Sequence, residues 1–354
     1  MPEATILNYI IGFIVSLCAS IADAFGANLM KRDHTRNEAL PPNLRKHEFL
    51  RWGWHLGLFC YVGSQVIGST VALNFLKTQW VAPLGSAALI FNFLFARLLV
   101  GTPITRNDLY GTAIVICSVI WVVVFGGLGQ GDDYENDLSL ETLKLLYYRP
   151  LFITYFSILN VTTIGSFIFV AYTKKLLENN EKKQKIWLFK SIEDIRLLRL
   201  IGMSFACIGG LFASETLLLA KSGIRLLAIS LSSDNQFTDA LSISIVIGLV
   251  FTAILQLYCL NNALKYANSV VVIPLFYCFY TCVGLFNTCV YLNQFETYPW
   301  WVLLMILVGV IVLVFGVRLL SKSKNQDQHH IELPNPATEM PDLERSTSVT
   351  TNTK

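Results

Sequence analysis

Two acidic side chains lie inside long apolar stretches of the sequence. Asp23 falls in the run Ile6–Met30, and Glu215 falls in the run Leu200–Ala220. A carboxylate inside a bilayer costs about 2.5–3.5 kcal/mol on insertion scales, so such residues normally face a cavity or a substrate path. Carboxylate oxygens are hard ligands that suit magnesium or a similar divalent cation. The pair predicts two metal-ligating positions on a cation path; the alternative is that these carboxyls are structural, protonated or hydrogen-bonded to neighbouring serines.

Amides and prolines inside the apolar stretches are further candidates for the substrate path. Two asparagines, Asn74 and Asn262, each stand three residues before a lysine at a link between helices. Two prolines, Pro83 and Pro274, each leave a backbone carbonyl in the preceding turn without its usual partner. That carbonyl either lines a path or belongs to a simple kink. Together with Gln65 these residues form the predicted path, although most buried amides are expected to hydrogen-bond between helices.

The elements that must position these residues follow from the composition. Of 354 residues, 54% are hydrophobic and 14% are charged, whereas soluble domains are roughly 45–50% apolar and about 25% charged. A helix rises about 1.5 Å per residue, so roughly 20 apolar residues cross the hydrocarbon core. A membrane barrel would instead need segments of about ten residues that alternate in polarity. We predict an all-α polytopic membrane protein with nine transmembrane spans: Ile6–Met30, Trp54–Leu76, Trp80–Val100, Leu109–Leu128, Leu151–Thr173, Leu200–Ala220, Leu241–Leu264, Val270–Leu292 and Trp300–Leu320.

The sequence repeats itself with an offset of about 190 residues, which predicts internal symmetry. The motif Asn-Phe-Leu-Lys ending at Lys77 matches Asn-Ala-Leu-Lys ending at Lys265, and Val-Phe-Gly recurs at Gly126 and Gly316. The two buried acids also occupy near-equivalent positions. Spans one to four thus correspond to spans six to nine as inverted repeats, with span five as a linking helix. Two inverted halves usually enclose a central site and alternate its access by rocking; chance similarity among apolar helices is the alternative.

Four regions follow from this symmetry and from the polar segments. Residues 1–128 form the first repeat, and residues 200–320 form the second. Residues 129–199 hold an acidic outer loop, span five and a basic cytoplasmic loop, while 321–354 form a polar tail expected to be disordered. The acidic run Asp132–Glu141 either concentrates cations at the entrance, an effect that salt would screen, or is an ordinary solvated loop.

The distribution of positive charge predicts the orientation in the membrane. Of the 27 Lys and Arg residues, 22 fall in the tail or in the loops after spans one, three, five and seven, when Arg97 and Arg318 at the ends of their spans are counted with the neighbouring loop and the tail. Cytoplasmic loops retain an excess of basic residues. The N-terminus is therefore expected outside or in a lumen and the C-terminus in the cytoplasm, in the plasma membrane or an endosomal or secretory-pathway membrane.

Other function classes lack the motifs they need. The sequence contains no zinc-ligand spacing, P-loop, dinucleotide-binding glycine pattern or nucleophile elbow, so neither an enzyme nor a cofactor is expected. A formal net charge of +3 is too small to indicate nucleic acid. The expected partners are the lipid bilayer and a small cation substrate, and assembly into a homo-oligomer is left open.

Three ordered motifs resemble a known family. Ala82–Gly85 resembles a T-P-L-G element, Gly210–Ser222 a G-L-x-G-S…A-K-S helix, and Asn262–Pro274 an N-x-A-L…S-V-V-x-P segment. All three are features of the NIPA-type magnesium transporters of the drug/metabolite transporter superfamily, and the resemblance spans roughly residues 6–320. The chain departs from that family in having no acid ahead of Asn74 in span two.

The resemblance implies a helical transporter that moves magnesium or another small divalent cation. Two alternatives remain: a transporter of an organic metabolite, as elsewhere in the superfamily, and a membrane scaffold without transport activity. A carrier of phosphorylated metabolites should need basic residues deep in its spans, and none lies deep in this sequence. A scaffold would not need paired buried acids.

Overall fold

Helices make up all the regular structure in the part of the chain described. The structure is a computed structural model that describes residues 2–68, 87–103, 105–127, 140–177, 194–232, 237, 239–292 and 299–331. In chain order the helices are α1 Pro2–Glu38, α2 Trp52–Gly63, α3 Ala87–Phe95, α4 Arg106–Gly127, α5 Leu140–Tyr147, α6 Pro150–Leu177, α7 Asp194–Ser232, α8 Ala240–Tyr266, α9 Ser269–Leu292 and α10 Trp300–Ile331. Two π-helical turns, Ser64–Gly68 and Ala96–Val100, continue α2 and α3.

Seven of the described helices are long and apolar enough to cross a membrane, namely α1, α4 and α6 to α10. They confirm the all-helical, polytopic part of the prediction. The predicted spans two and three run through residues 69–86, which lie outside the described ranges. Their described portions are α2 with its π turn and a shorter apolar helix over Ala88–Val100. The count of nine spans therefore stays a prediction.

Two helical segments were not predicted from the sequence. Helix α5 lies in the loop ahead of α6, where Lys144 pairs with Asp239, the residue before α8. Asp239 also accepts a hydrogen bond from the Leu241 N–H at 3.0 Å, and both partners hold the pKa of its carboxyl below the usual value. Helix α10 continues to Ile331, into the predicted tail, whose remainder lies outside the described residues.

The helices differ greatly in how much of their surface is buried. Helix α7 is the most enclosed of the seven candidate spans, and α6 is the least. The exposed face of α6 carries large apolar side chains, among them Ile158, Val161 and Phe169. An apolar surface of this extent is what a bilayer solvates. Helix α7 is therefore central, while α6 lies at the periphery facing lipid.

Each of two central helices packs against the two helices that follow it in its half of the chain. Helix α1 packs on α2 and α3, α7 packs on α8 and α9, and α4 packs on α10. Two glycines allow α1 and α2 to approach closely. A β-carbon at Gly26 would lie 2.6 Å from the Gly57 carbonyl oxygen, and one at Gly57 would lie 2.9 Å from the Gly26 carbonyl oxygen. Small residues commonly permit such close contact between membrane helices.

We expect Gly57→Ala to destabilise the protein by about 1–3 kcal/mol, the usual cost of overpacking a tight contact. The added methyl group meets backbone atoms of Gly26 and Met30 within 2.9 Å, and a backbone cannot turn aside as a side chain can. Thermal melting of the purified protein in detergent measures the change. The matched control is Gly63→Ala at the end of the same helix, where a β-carbon meets nothing within 4 Å. Equal melting temperatures for the two variants would contradict the close approach.

Candidate functional site

Asp23 lies near the middle of the α1 span and is buried, with 5% of its surface exposed. Its carboxylate accepts a hydrogen bond from the Tyr277 hydroxyl at 2.7 Å and one from the Gln65 amide at 2.8 Å. The Ser64 hydroxyl lies 3.4 Å away and also donates to the Tyr61 carbonyl at 2.7 Å. Hydrogen bonds to a carboxylate stabilise its charged form. The Asp23 carboxyl is therefore surrounded by neutral donors from α9 and from the π turn that follows α2.

The donors from α2 reach Asp23 because the helix changes its winding there. Ser64 and Gln65 are the first residues of the π-helical turn that follows α2. A π turn inserts an extra residue into a helix and redirects the side chains that follow, and such turns occur frequently at functional sites. Gln65 is exposed, whereas Ser64 and Asp23 are buried. The amide of Gln65 therefore stands between the carboxylate and the accessible surface.

Glu215 on α7 is fully buried, with 0% of its surface exposed, and is surrounded very differently. Neither of its carboxyl oxygens has a hydrogen-bond partner among the described residues. Thr163 of α6 lies beside it and is itself fully buried, but no hydrogen bond of good geometry joins the two side chains. A buried carboxylate without donors is costly, since no group replaces the water it has lost.

A chain of neutral polar groups lies next to Glu215. The Tyr155 hydroxyl donates to Asn287 Oδ1 at 2.5 Å, and Asn287 Nδ2 donates to the Ser214 hydroxyl at 3.2 Å. These residues connect α6, α9 and α7. The three side chains of this chain serve as hydrogen-bond partners for one another. Glu215 lies beside the chain but forms no hydrogen bond with it.

The predicted path residues fall into separate groups. Gln65 donates a hydrogen bond to Asp23, as described above. Asn262 is buried at the end of α8, where its amide oxygen accepts a hydrogen bond from Lys174 of α6 at 2.8 Å. Pro274 is buried within α9, while Asn74 and Pro83 lie outside the described residues. Asp23 and Glu215 belong to different clusters, and the described residues contain no group of three or more His, Cys, Asp or Glu that could hold a metal ion.

A second polar contact joins α1 to the second half of the chain, towards the predicted cytoplasmic side of Asp23. The Asn28 amide donates to Asn92 Oδ1 on α3 at 2.7 Å, and the Ser269 hydroxyl at the start of α9 donates to Asn28 Oδ1 at 2.8 Å. Asn92 in turn donates to the Ser269 carbonyl at 3.3 Å. All three residues are buried. Amides here serve as the interhelical partners that the sequence suggested.

A third contact closes the predicted cytoplasmic end and centres on Asn261 of α8. Its amide oxygen accepts from Trp54 Nε1 at 2.6 Å and from His34 Nε2 at 3.0 Å, while its nitrogen donates to Glu48 at 3.2 Å. An indole nitrogen can only donate, so the atom it meets is the oxygen. His34 must therefore carry its proton on Nε2. We name Asp33, His34, Glu48, Arg51, Trp54 and Asn261 the polar clasp.

Arg51 supplies the positive charge of the polar clasp. Its guanidinium forms an ion pair with Asp33 at 2.5 Å and donates to the Asp33 carbonyl at 3.0 Å. It also lies 3.2 Å from His34 Nδ1. Because Nε2 holds the imidazole proton, Nδ1 accepts from Arg51 and the ring is neutral. Protonated His34 would direct a second N–H towards a guanidinium, which would break this contact.

Several of these residues were not singled out from the sequence. Tyr277 and Thr163 are an aromatic and a hydroxyl side chain in apolar helices, where such residues are ordinary. The polar clasp combines residues more than 200 positions apart, as His34 and Asn261 illustrate. One feature of the sequence did point to the polar clasp. The segment between the first two predicted spans is rich in charged and titratable residues, among them Asp33, His34, Glu48 and Arg51. Their partner on α8 could not be identified without the packing.

Comparison with known proteins gives consistent matches. The family model described as "Magnesium transporter NIPA" matches residues 195–326. A protein of Arabidopsis thaliana described as "Probable magnesium transporter NIPA8" is 22% identical over 321 residues, which is 89% of this chain and 69% of that protein. "NIPA-like protein 2" of Homo sapiens is 19% identical over 324 residues, 92% of this chain and 76% of the human protein. No solved structure gives a significant match.

The segment matched by the family model covers nearly all of α7 to α10 and so includes Glu215, Tyr277 and Asn261. The two relatives extend the match over most of the remaining chain. One of them is named for magnesium transport, and neither is named for an enzymatic activity. These matches confirm the resemblance predicted from the sequence: the chain is an integral membrane protein that is similar to NIPA-type magnesium transporters, over residues 195–326 to the family model and over most of its length to a probable magnesium transporter.

Proposed function

We propose that this protein carries magnesium across a membrane by alternating access, with Asp23 and Glu215 as the two carboxylates of the cation path. The observation that carries the proposal is the buried Asp23 carboxyl near the middle of α1, whose hydrogen-bond donors are all neutral. An anion in that position lacks a countercharge, and a cation supplies one. The relationship to a probable magnesium transporter favours a divalent metal over an organic metabolite.

The chemistry around Asp23 suits a partly hydrated magnesium ion. Magnesium releases its waters reluctantly and is usually bound through one or two carboxylates with several waters retained. Asp23 offers one carboxylate, and Ser64, Gln65 and Tyr277 offer side-chain oxygens or an amide that can contact those waters. An arriving cation would displace the donors now directed at the carboxylate. The tyrosine hydroxyl and the amide could then turn towards the ion's hydration shell.

The proposed transport cycle uses two inverted halves of four spans each, joined by α6. In support, the packing of α1 on α2 and α3 has its counterpart in α7 on α8 and α9, and α4 packs on α10. The corresponding arrangement has nine spans, the N-terminus outside or in a lumen, and the C-terminus in the cytoplasm. Rocking of one half against the other would expose Asp23 to each side in turn.

The polar clasp is the proposed closure on the cytoplasmic side. It ties α1 and the start of α2, which belong to the first half, to the end of α8 in the second half. Glu48 also lies 3.9 Å from Lys265 of α8. Interhelical hydrogen bonds in membranes average about 0.6 kcal/mol each, so several of them hold a closure that a bound cation can still open.

Asp23→Asn should abolish most magnesium uptake while the protein still folds. Asparagine retains the size and hydrogen-bonding capacity of aspartate but not its charge. Loss of about 1.4 kcal/mol of cation binding lowers occupancy about tenfold, so we expect a fall of at least that size. Uptake into proteoliposomes, with a panel of divalent cations and a control metabolite, measures the change.

The matched control is Asp108→Asn. Asp108 is also fully buried, but its carboxylate accepts a hydrogen bond from the Thr105 N–H at 2.9 Å and so caps the start of α4. Asparagine keeps the oxygen that accepts from the Thr105 N–H in this capping box, and we expect unchanged uptake per folded molecule. Wild-type uptake by the Asp23 variant would refute the proposed path, and metabolite uptake without cation uptake would favour the alternative carrier.

Asn261→Leu should loosen the polar clasp. The substitution removes the acceptor of Trp54 and His34 and the donor to Glu48, so amide hydrogen exchange should accelerate at the end of α1 and the start of α2. Mass spectrometry of exchange in detergent measures this. The matched control is Asn160→Leu, because the Asn160 amide bonds the Phe156 carbonyl of its own helix at 2.9 Å. Equal protection in both variants would show that the polar clasp does not hold the halves together.

A further inference from the structure

The loop between α1 and α2, together with the first residue of α2, exposes large apolar side chains outside the predicted spans. Phe49, Leu50 and Trp52 are 64%, 74% and 79% exposed. We name these three residues the apolar edge. Contiguous exposed apolar surface marks a contact with a membrane or with another protein. The apolar edge therefore needs a covering that the described residues of this chain do not supply.

Hydrogen bonds from polar side chains hold the loop in one shape. Arg45 Nε donates to the Leu40 carbonyl, and Arg45 Nη2 donates to the Glu38 carbonyl, each at 2.9 Å. The Asn37 amide oxygen accepts from the Lys46 N–H at 3.0 Å, and its nitrogen donates to the Lys46 carbonyl at 3.1 Å. An ordered loop therefore fixes the apolar edge on its outer side.

A 3₁₀ turn sorts the residues of the loop between the polar clasp and the apolar edge. The turn covers Glu48–Leu50, and with three residues per turn the side chains at i and i+3 align. Glu48 and Arg51 are such a pair, 3.7 Å apart, and both belong to the polar clasp. The two residues between them lie on the other sides of the turn. The Phe49 ring still contacts Trp54 of the polar clasp, edge to face, with ring centroids 5.1 Å apart.

The packing of α2 on α1 places the loop at the membrane surface. A β-carbon at Gly53 would lie 2.8 Å from Asp33 Oδ1, so the start of α2 is level with Asp33. Asp33 follows Met30, the end of the first predicted span, by three residues. That separation is about 4.5 Å along a helix axis. The apolar edge thus lies just outside the hydrocarbon, at the depth of the lipid headgroups.

One exposed face of α2 continues the apolar edge into the bilayer. Trp52, Leu56 and Phe59 occupy positions i, i+4 and i+7 of the helix, and all three are exposed. Residues at this spacing line one face of a helix. A tryptophan at the end of such a face is typical of the boundary between membrane and water. The lipid that covers this face of α2 is therefore adjacent to the loop.

Basic residues border the apolar edge. Arg36, Arg45 and Lys46 are exposed, against the single exposed acid Glu38 in the same segment of residues 36–47. Cytoplasmic leaflets carry anionic lipids, which attract basic residues that lie close to a span. The hydrogen bonds of Lys46 named above use its backbone, so its exposed ammonium can contact a lipid headgroup. The charge of the loop therefore matches the leaflet on its predicted side.

We propose that the loop docks on the cytoplasmic leaflet, with the apolar edge inserted at the headgroup level and Lys46 on the headgroup of an anionic phospholipid. Docking holds Glu48 and Arg51 in the polar clasp, because the 3₁₀ turn joins these residues to the apolar edge. The lipid composition of the leaflet then sets how firmly the polar clasp closes the path. This second statement rests on the proposed function, whereas the docking does not.

Quenching of tryptophan fluorescence by brominated lipids tests the docking. The full-length protein is reconstituted in phosphatidylcholine that contains either brominated phosphatidylcholine or brominated phosphatidylserine, and the signal of Trp52 is the difference between the wild type and Trp52→Phe. Brominated phosphatidylserine should quench Trp52 more strongly. Lys46→Gln should lower this preference about fivefold, the effect of one basic residue near an anionic surface. The matched control Lys175→Gln changes an exposed lysine of α6 on the same predicted side and should retain the preference.

Three results of the quenching experiment would overturn the proposal. Equal quenching by the two brominated lipids would refute a site for anionic lipid. Absence of quenching by either lipid would show that a protein partner covers the apolar edge. An equal loss of preference in Lys46→Gln and Lys175→Gln would mean that the net charge of the protein, and not the loop, attracts the lipid.

Hydrogen exchange in nanodiscs tests the link from docking to the polar clasp. Backbone amides of residues 48–54 should exchange more slowly in equal parts of phosphatidylcholine and phosphatidylserine than in phosphatidylcholine alone. Leu50→Ser should remove most of this difference, whereas Leu109→Ser, at an exposed leucine near the start of α4, should retain it. Equal exchange of the wild type in the two lipid mixtures would overturn the link. Absent magnesium uptake by the wild type would instead refute the proposed function, and quenching of Trp52 would still report docking.

Discussion

A carboxylate inside a bilayer has to obtain from the protein what water would otherwise supply, and this constraint organises the first half of the molecule. Asp23 is short, so its donors must come close. Gly26, one turn along α1, and Gly57 on α2 have no side chains, and their helices approach until a β-carbon would contact the opposite backbone. The π turn after α2 then directs Ser64 and Gln65 at the carboxylate. The local sequence, the helix packing and the hydrogen bonds of Asp23 are thus consequences of a single requirement.

The same constraint separates structural polar groups from functional ones. Asn28, Asn92 and Ser269 satisfy one another within a small buried group, and the polar clasp does so around Asn261. Such groups hold helices together, and the polar clasp does so between the two halves. Glu215 is the exception among the buried acids of the described residues, because both of its oxygens remain without partners. Its burial without a countercharge is what makes Glu215 a candidate for the proposed cation path.

Some of this could be predicted from the sequence. The membrane-spanning helices and the unusual acids follow from hydrophobicity and from residue types that lipid does not tolerate, whereas the family resemblance follows from three ordered motifs. Gln65 was a candidate because an amide in an apolar run needs a partner. The hydrogen-bond partners of these residues were harder to predict. Tyr277 lies 254 positions from Asp23, and helical periodicity does not indicate which face of one helix packs against another. Helix α5 was missed because its eight residues are too few to span a membrane and directly follow an acidic run of the predicted outer loop.

Helix α1 connects the proposed cation site to the proposed closure. Along it, Asp23 meets Tyr277, Asn28 meets Ser269, and His34 meets Asn261. As the residue number increases along α1, the residue number of the partner decreases, first along α9 and then along α8. The three contacts therefore form one antiparallel line of contacts between the halves, which we call the seam. A helix transmits displacement along its axis, and about 16 Å separate Asp23 from His34 at 1.5 Å per residue. A cation that displaces the Tyr277 hydroxyl removes the first contact of the seam and leaves the other two to hold it. Because linkage is reciprocal, an opened polar clasp must alter cation affinity at Asp23 by the same free energy with which the bound cation favours opening.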